Sequence, residues 1–184
     1  MSTYETARHI LEEIDRVLSG ISETEIDGLC DAITSARRII VYGLGREGLV
    51  MRSLAMRLMH LGLDVAVVGD MTAPPIGPDD LFLVSCGPGY LSTVQALVGV
   101  ARQAGGRIGM LTAQPRAVLP QQADLLVYLP AQTMAEDEHS SSTQAMGSAF
   151  EQSLWIMFDA LVPRLQTSLG QSADDMRRRH TNLE

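Results

Sequence analysis

Residues 39–70 read IIVYGLGREGLVMRSLAMRLMHLGLDVAVVGD, and the order of patterns in this stretch decides the fold class. Ile39-Ile40-Val41-Tyr42 is a short apolar run of the kind a buried strand carries. The turn Gly43-Leu44-Gly45-Arg46-Glu47-Gly48 follows, then a helix to about Leu61, then a second apolar run, Val65–Val68. Continuous apolar strands joined through a helix lie parallel and are covered on both faces.

The same alternation continues downstream. Leu81–Val84 is the third strand candidate, after a turn signalled by Gly77-Pro78-Asp79-Asp80. A helix from Leu91 to Ala104 ends at Gly105-Gly106, where glycine can take a left-handed cap. Ile108–Leu111 and Leu125–Tyr128 supply strands four and five. Upstream, Ser2 with Glu5 and Ser22 with Glu25 each read as a capping box. The apolar residues behind them, Ile10, Leu11, Ile14, Val17 and then Ile26, Leu29, Ile33, recur at helical spacing. Two amphipathic helices therefore precede the sheet. Beyond it, Pro130–Gln144 is polar and aperiodic, a loop length that is usually functional in a compact domain. A strongly apolar helix from Met146 to about Leu165 then spreads Phe150, Leu154, Trp155, Phe158 and Leu161 around much of its circumference, as burial on two sides requires. Ala173–His180 reads as a last, arginine-rich helix. The expectation is one domain over 1–184, with a helical pair at 1–37, a sheet core at 38–130, a loop or lid at 131–145 and C-terminal helices at 146–184.

Composition agrees with that reading. Of 184 residues, 46% are hydrophobic and 20% charged, ordinary values for a globular chain. Fourteen basic against 22 acidic residues leave a net charge of −8, the wrong sign for a nucleic-acid backbone. A local phosphate site is not excluded, because a few amides and one Arg suffice to hold an anion. Met1–His9 shows no secretory pattern, and no apolar stretch has the length of a membrane span. Cys30 and Cys86 make neither a disulfide framework nor a metal spacing, so a cytoplasmic protein is expected.

In an open parallel sheet, ligands bind beyond the carboxyl ends of the strands. Two glycine-rich turns lie there. Gly43–Gly48 matches G-x-G-x-x-G, which also suits a dinucleotide if Asp70 serves as its acidic partner. Arg46 within the turn favours a sugar phosphate or its enediolate; the plainer alternative is a tight turn with a solvated Arg. The second turn, Ser85-Cys86-Gly87-Pro88-Gly89-Tyr90, leads into a helix and adds the hydroxyls of Ser85, Ser92 and Thr93 to a possible anion cradle. Cys86 beside a helix N-terminus could be a depressed thiol, although no partner set accompanies it and packing is the simpler role. Glu151, at the start of an apolar helix, is the best carboxylate for moving a proton between adjacent carbons, since partial burial would raise its pKa; taken alone, the residue reads more simply as a first-turn acid interacting with the helix dipole. His180 titrates in a useful range but follows three arginines at a helix end, where a cation needs no special explanation. His60 reads as a core or interface histidine. No metal site and no cofactor is expected.

The stretch VYGLGREGLVMRSLAMRLMHLGLDVAVVG, Val41–Gly69, resembles the first half of the SIS (sugar isomerase) domain in the 6-phospho-3-hexuloisomerases, which carry G-x-G-R-S-G followed by A-M-R-L-M-H-L-G. The likeness continues at Gly69–Ile76, at Met146-Gly147-Ser148-Ala149-Phe150-Glu151-Gln152 and at Arg179-His180-Thr181-Asn182-Leu183-Glu184. This resemblance implies a three-layer, doubly wound, five-stranded parallel sheet of flavodoxin-like order, assembled as a homotetramer. It implies interconversion of 3-hexulose 6-phosphate and fructose 6-phosphate through an enediol, without metal or organic cofactor. Glu151 and His180 become the acid–base pair, with His180 reaching the site from a neighbouring subunit. Gly45, Arg46, Ser85, Cys86, Gly87, Gly89, Ser92 and Thr93 become the substrate and phosphate contacts.

Two departures stand out. The family's S-G-S-G-E-T loop is Cys86-Gly87-Pro88-Gly89-Tyr90-Leu91 here, and each lost hydrogen bond to a charged oxygen costs about 1.5–3 kcal/mol. Glu47 stands where the family has serine, placing a carboxylate near the expected phosphate. A non-catalytic sugar-phosphate sensor is therefore a competing reading, as is an isomerase of another phosphosugar. A nicotinamide-dependent oxidoreductase would rest on Gly43–Gly48 and Asp70 alone.

Overall fold

A computed structural model describes residues 1–135, 142 and 144–183. The five strands are β1 (Arg38–Tyr42), β2 (Val65–Val67), β3 (Asp80–Ser85), β4 (Arg107–Thr112) and β5 (Leu125–Tyr128). All neighbours are parallel, and the sheet order is β2-β1-β3-β4-β5. The flavodoxin-like order that the resemblance implies is present. Strand order reverses between β1 and β3, so the loops after those two strands diverge and leave a crevice.

Among the described residues, six helices surround the sheet: α1 (Thr3–Ser19), α2 (Glu23–Ser35), α3 (Gly45–His60), α4 (Ser92–Gln103), α5 (Ser148–Ser168) and α6 (Ala173–Arg178). Alternation along the strands sends residues to opposite faces. Ile39, Val41, Leu81, Leu83, Leu111 and Val127 meet α1, α2, α3 and α5 in the larger core. Ile40, Phe82, Val84, Ile108 and Met110 meet α4 in the smaller one, closed at its end by Leu119 beside a 3-10 turn at Pro120–Gln122. The layers are therefore unequal, with α1, α2, α3 and α5 on one face, joined by Met176 of α6, and α4 on the other. Helix α5 packs against α1, α2 and α3, yet leaves Trp155 45% and Ile156 41% exposed.

Capping follows the sequence at α1, where Ser2 and Glu5 complete a reciprocal box. At α2 only half of the box forms: Ser22 Oγ accepts from the Glu25 amide, but the Glu25 carboxylate turns away. It accepts instead from the Tyr128 amide of β5 at 2.7 Å, because an unpaired edge-strand donor outcompetes a solvated helix end. Buried Glu13 on α1 accepts from Ser142 Oγ at 2.8 Å and Gln144 Nε2 at 2.9 Å, tying α1 to the segment that precedes α5. The lid expected over 131–145 falls in part on residues 136–141 and 143, which lie outside the described residues. Among the described residues, no helix is long and apolar enough to cross a membrane.

Candidate active site

The turn after β1 is built by backbone proximity. A Cβ on Gly48 would stand 2.6 Å from the Gly43 carbonyl oxygen, and one on Gly43 would meet the Gly48 amide at 2.9 Å. This approach lets α3 start immediately at the strand end. Gly45 takes φ +56°, a left-handed value. Helix α3 has no side-chain cap at its N-terminus, and neither has α4. Both helices therefore direct uncapped first-turn amides and positive dipole ends toward the crevice.

Arg46 and Glu151 meet there as an ion pair between Arg46 Nε and Glu151 Oε2. The carboxylate is the enclosed partner, 13% exposed against 62% for the guanidinium. Burial pushes the Glu151 carboxyl above its ordinary range, and Arg46 offsets only part of that push. The pair lines a cavity of about 660 Å³, together with Gly45, Glu47, Pro88, Leu91, Thr133, Gly147, Ser148 and Phe150, a size suited to a small metabolite. The unusual left-handed pair Met146 and Gly147, φ 59° and 79°, turns the chain into α5 and brings Glu151 to the rim.

Other expected contacts divide. Ser85 and Gly87 are buried behind Glu47, which lines the cavity, and both donate to it: Ser85 Oγ–H and the Gly87 amide hydrogen-bond the Glu47 carboxylate, the amide at 3.1 and 3.2 Å from its two oxygens. Cys86 is fully buried, its amide bonded to the Leu111 carbonyl. Burial, and next the nearby Glu47 charge, push its thiol up to about 12, so packing describes Cys86 and nucleophilic attack does not. Gly89 backs onto Gln114 and Ala117. Ser92 and Thr93 are exposed on the first turn of α4 and are not among the residues lining this cavity.

His180 is elsewhere in the chain. Its ring stacks on His60, centroids 5.2 Å apart, and Arg179 Nη1 donates to the His60 carbonyl. His60 ends α3 while Arg46 begins it, so about 21 Å of helix separates His180 from Glu151 within one chain. Asp70 pairs with Arg52 at 3.0 Å. Among the described residues no three potential ligands gather as a metal site.

Two residues were not singled out from sequence as part of this site. Thr133 is 2% exposed and lines the cavity, and its hydroxyl has no partner among the described residues. Only its place just beyond the carboxyl end of β5 could have drawn attention. Phe150, 1% exposed, packs its ring where a Gly87 side chain would stand, explaining why that loop position is glycine.

Glu47 carries a stability consequence. Burial raises its pKa above the ordinary 4.5, with Glu151 adding a like charge and the Ser85 and Gly87 donors opposing. Folding then favours the protonated carboxyl, so stability falls as pH rises from about 4.5 through the raised value. Glu47→Gln removes that titration. The variant is expected to melt higher than wild type at pH 7, by about 2–4 °C per kcal/mol recovered. The gap should close toward pH 4.5; equal melting points at both pH values would contradict the burial argument.

The strand order and the crevice at its reversal define an open α/β domain, the class in which ligands bind at the carboxyl ends of the strands where the order reverses, here β1 and β3. The SIS domain family matches residues 32–156, and the chain belongs to that family. It is 35% identical to the 3-hexulose-6-phosphate isomerase of Bacillus subtilis over the full length of both chains. With the Mycobacterium gastri protein of the same name it shares 37% identity, covering 95% of this chain and 88% of that one. A Methanococcus jannaschii protein, whose crystal structure was described as inferring 3-hexulose-6-phosphate isomerase function, superposes with a TM-score of 0.85. It is 28% identical, and the match covers 98% of this chain and 99% of that one.

Proposed function

We propose that the protein is a sugar-phosphate isomerase that interconverts 3-hexulose 6-phosphate and fructose 6-phosphate, the whole chain acting as one SIS unit. The observation that carries this reading is the Glu151 carboxyl, buried against Arg46 in a cavity of metabolite size. Full-length relatives named 3-hexulose-6-phosphate isomerase support the substrate. In this reading Glu151 takes the proton from C2 of the 3-hexulose and returns it to C3. The carbonyl thereby moves from C3 to C2 through the shared enediol, and Arg46 balances charge on the enediolate oxygens. His180 from a second copy moves the hydroxyl proton. Gly45 and the uncapped amides of α3 and α4 face the phosphate. No step calls for a metal or an organic cofactor.

The separation of His180 from Glu151 within one chain supports a shared site in a homo-oligomer, a tetramer in this reading, working in the cytoplasm. An apolar groove beside Arg46 and Glu151, lined by Ile10, Leu49, Trp155 and Ile156, gives a neighbour a surface to cover. The variants Glu151→Gln and His180→Ala, each expected to lose most activity alone, test this when mixed through a denaturation–renaturation cycle. Random pairing makes about a quarter of the sites wild type in both residues. Activity near that fraction is expected, and none would show that both residues act within one subunit.

Turnover of 3-hexulose 6-phosphate to fructose 6-phosphate by the purified protein is the direct test. Absence of turnover, with phosphosugars still raising the melting temperature, would instead favour a sensor.

A further inference from the structure

The crevice holds an anion of its own. The Glu47 carboxylate sits across the start of the loop after β3, accepting from the Ser85 hydroxyl and, at both oxygens, from the Gly87 amide. Ser85 is completely buried, so its hydroxyl serves nothing else. Arg46, its neighbour in sequence, is paired with Glu151, and the charge that Glu47 feels from Glu151 has its own sign. Among the described residues, Glu47 is thus held by neutral donors alone, beside two uncapped helix N-termini that favour negative charge. Such a seat admits one anion at a time, because two carboxylate- or phosphate-sized charges a few ångströms apart repel strongly where water is scarce.

We propose that Glu47 is a specificity-determining residue whose carboxylate and the phosphate of the substrate compete for Ser85 and Gly87, so that a phosphosugar enters only by evicting it. The inference rests on the phosphosugar reading above and adds to it. Phosphate, with more oxygens and up to twice the charge, is the stronger ligand for the seat. Glu47 can yield because it begins a helix at the cavity wall and has open space before it. The empty cleft is thereby kept neutralised, and anions with weaker hold than a phosphate monoester are refused.

The test is calorimetric titration of the full chain with inorganic phosphate at pH 7.5, comparing wild type, Glu47→Ser and Glu47→Gln. Glu47→Ser is expected to lower the phosphate Kd at least tenfold. Glu47→Gln should lower it by less, since the amide oxygen still accepts from Ser85 and Gly87 but carries no charge. The KM for the phosphosugar should fall in step, with the change carried by KM more than by kcat. Glu47→Gln preserves the shape of the turn, so phosphate binding unchanged or weakened in both variants would overturn the proposal and leave Glu47 a structural clasp. The two readings fail separately. Tighter phosphate binding without any turnover would remove the isomerase and keep the competition; turnover with an unmoved phosphate Kd would do the reverse.

Discussion

Glu151→Gln is expected to lower kcat by a factor of about 10²–10⁴, the usual share of a general base, while phosphosugar binding survives. The amide keeps the size of the side chain and its place at the start of α5, but cannot take a proton from carbon. Its ion pair with Arg46 is lost, which frees a guanidinium for the ligand, so binding has no reason to collapse. In the wild type the acid limb of the rate profile should lie above the carboxylate's ordinary 4.5, because burial raises the folded-state value. Activity depends on the ionised form and is lost as pH falls through that raised value. Stopped assays of both proteins between pH 4 and 8, with binding followed by thermal shift, measure both quantities. A variant that retains full turnover would remove Glu151 from the chemistry.

The second large effect concerns architecture. Gly48→Ala is expected to destabilise the fold by about 3 kcal/mol, or roughly 6–12 °C in melting temperature, and to abolish activity. The added methyl would meet the Gly43 carbonyl oxygen at 2.6 Å and its carbon at 3.2 Å. Both are backbone atoms just past the end of the inner strand β1, so relief requires α3 to move away. That displacement would carry Arg46 and Glu47 with it. Thermal melting with activity measured at 20 °C distinguishes this from a mild local change. A variant as stable as wild type would mean that the turn is softer than its contacts indicate.

Much of this was legible beforehand because the signals are local. Apolar runs of four residues fixed β1, β3, β4 and β5, and the glycine turns located the carboxyl ends where ligands bind. Arg46 and Glu151 could be named because each belongs to a motif read along the chain. What was hidden depends on partners far away in sequence. Glu47 was legible as a departure from serine, yet its inward hold on Ser85 spans 38 positions. Glu25 reads as half of a capping box until β5 offers it Tyr128, 103 positions on. Periodicity in one helix says nothing about such choices, which are settled by which buried donor most needs an acceptor.

The bond from the Tyr128 amide to Glu25 also bears on how copies of this chain can meet. An exposed strand edge is a template for another strand, and it leads to open-ended stacking as readily as to a closed assembly. Here β5 has an outward donor already taken by Glu25, and the opposite edge, β2, is three residues long. Neither border offers a ladder that a second sheet could extend. In the homo-oligomer proposed above, association is left to helix faces, where Leu49, Trp155 and Ile156 lie beside Arg46 and Glu151. In the proposed oligomer, a carboxylate at one border of the sheet would thus help steer self-recognition toward a finite particle rather than a fibre.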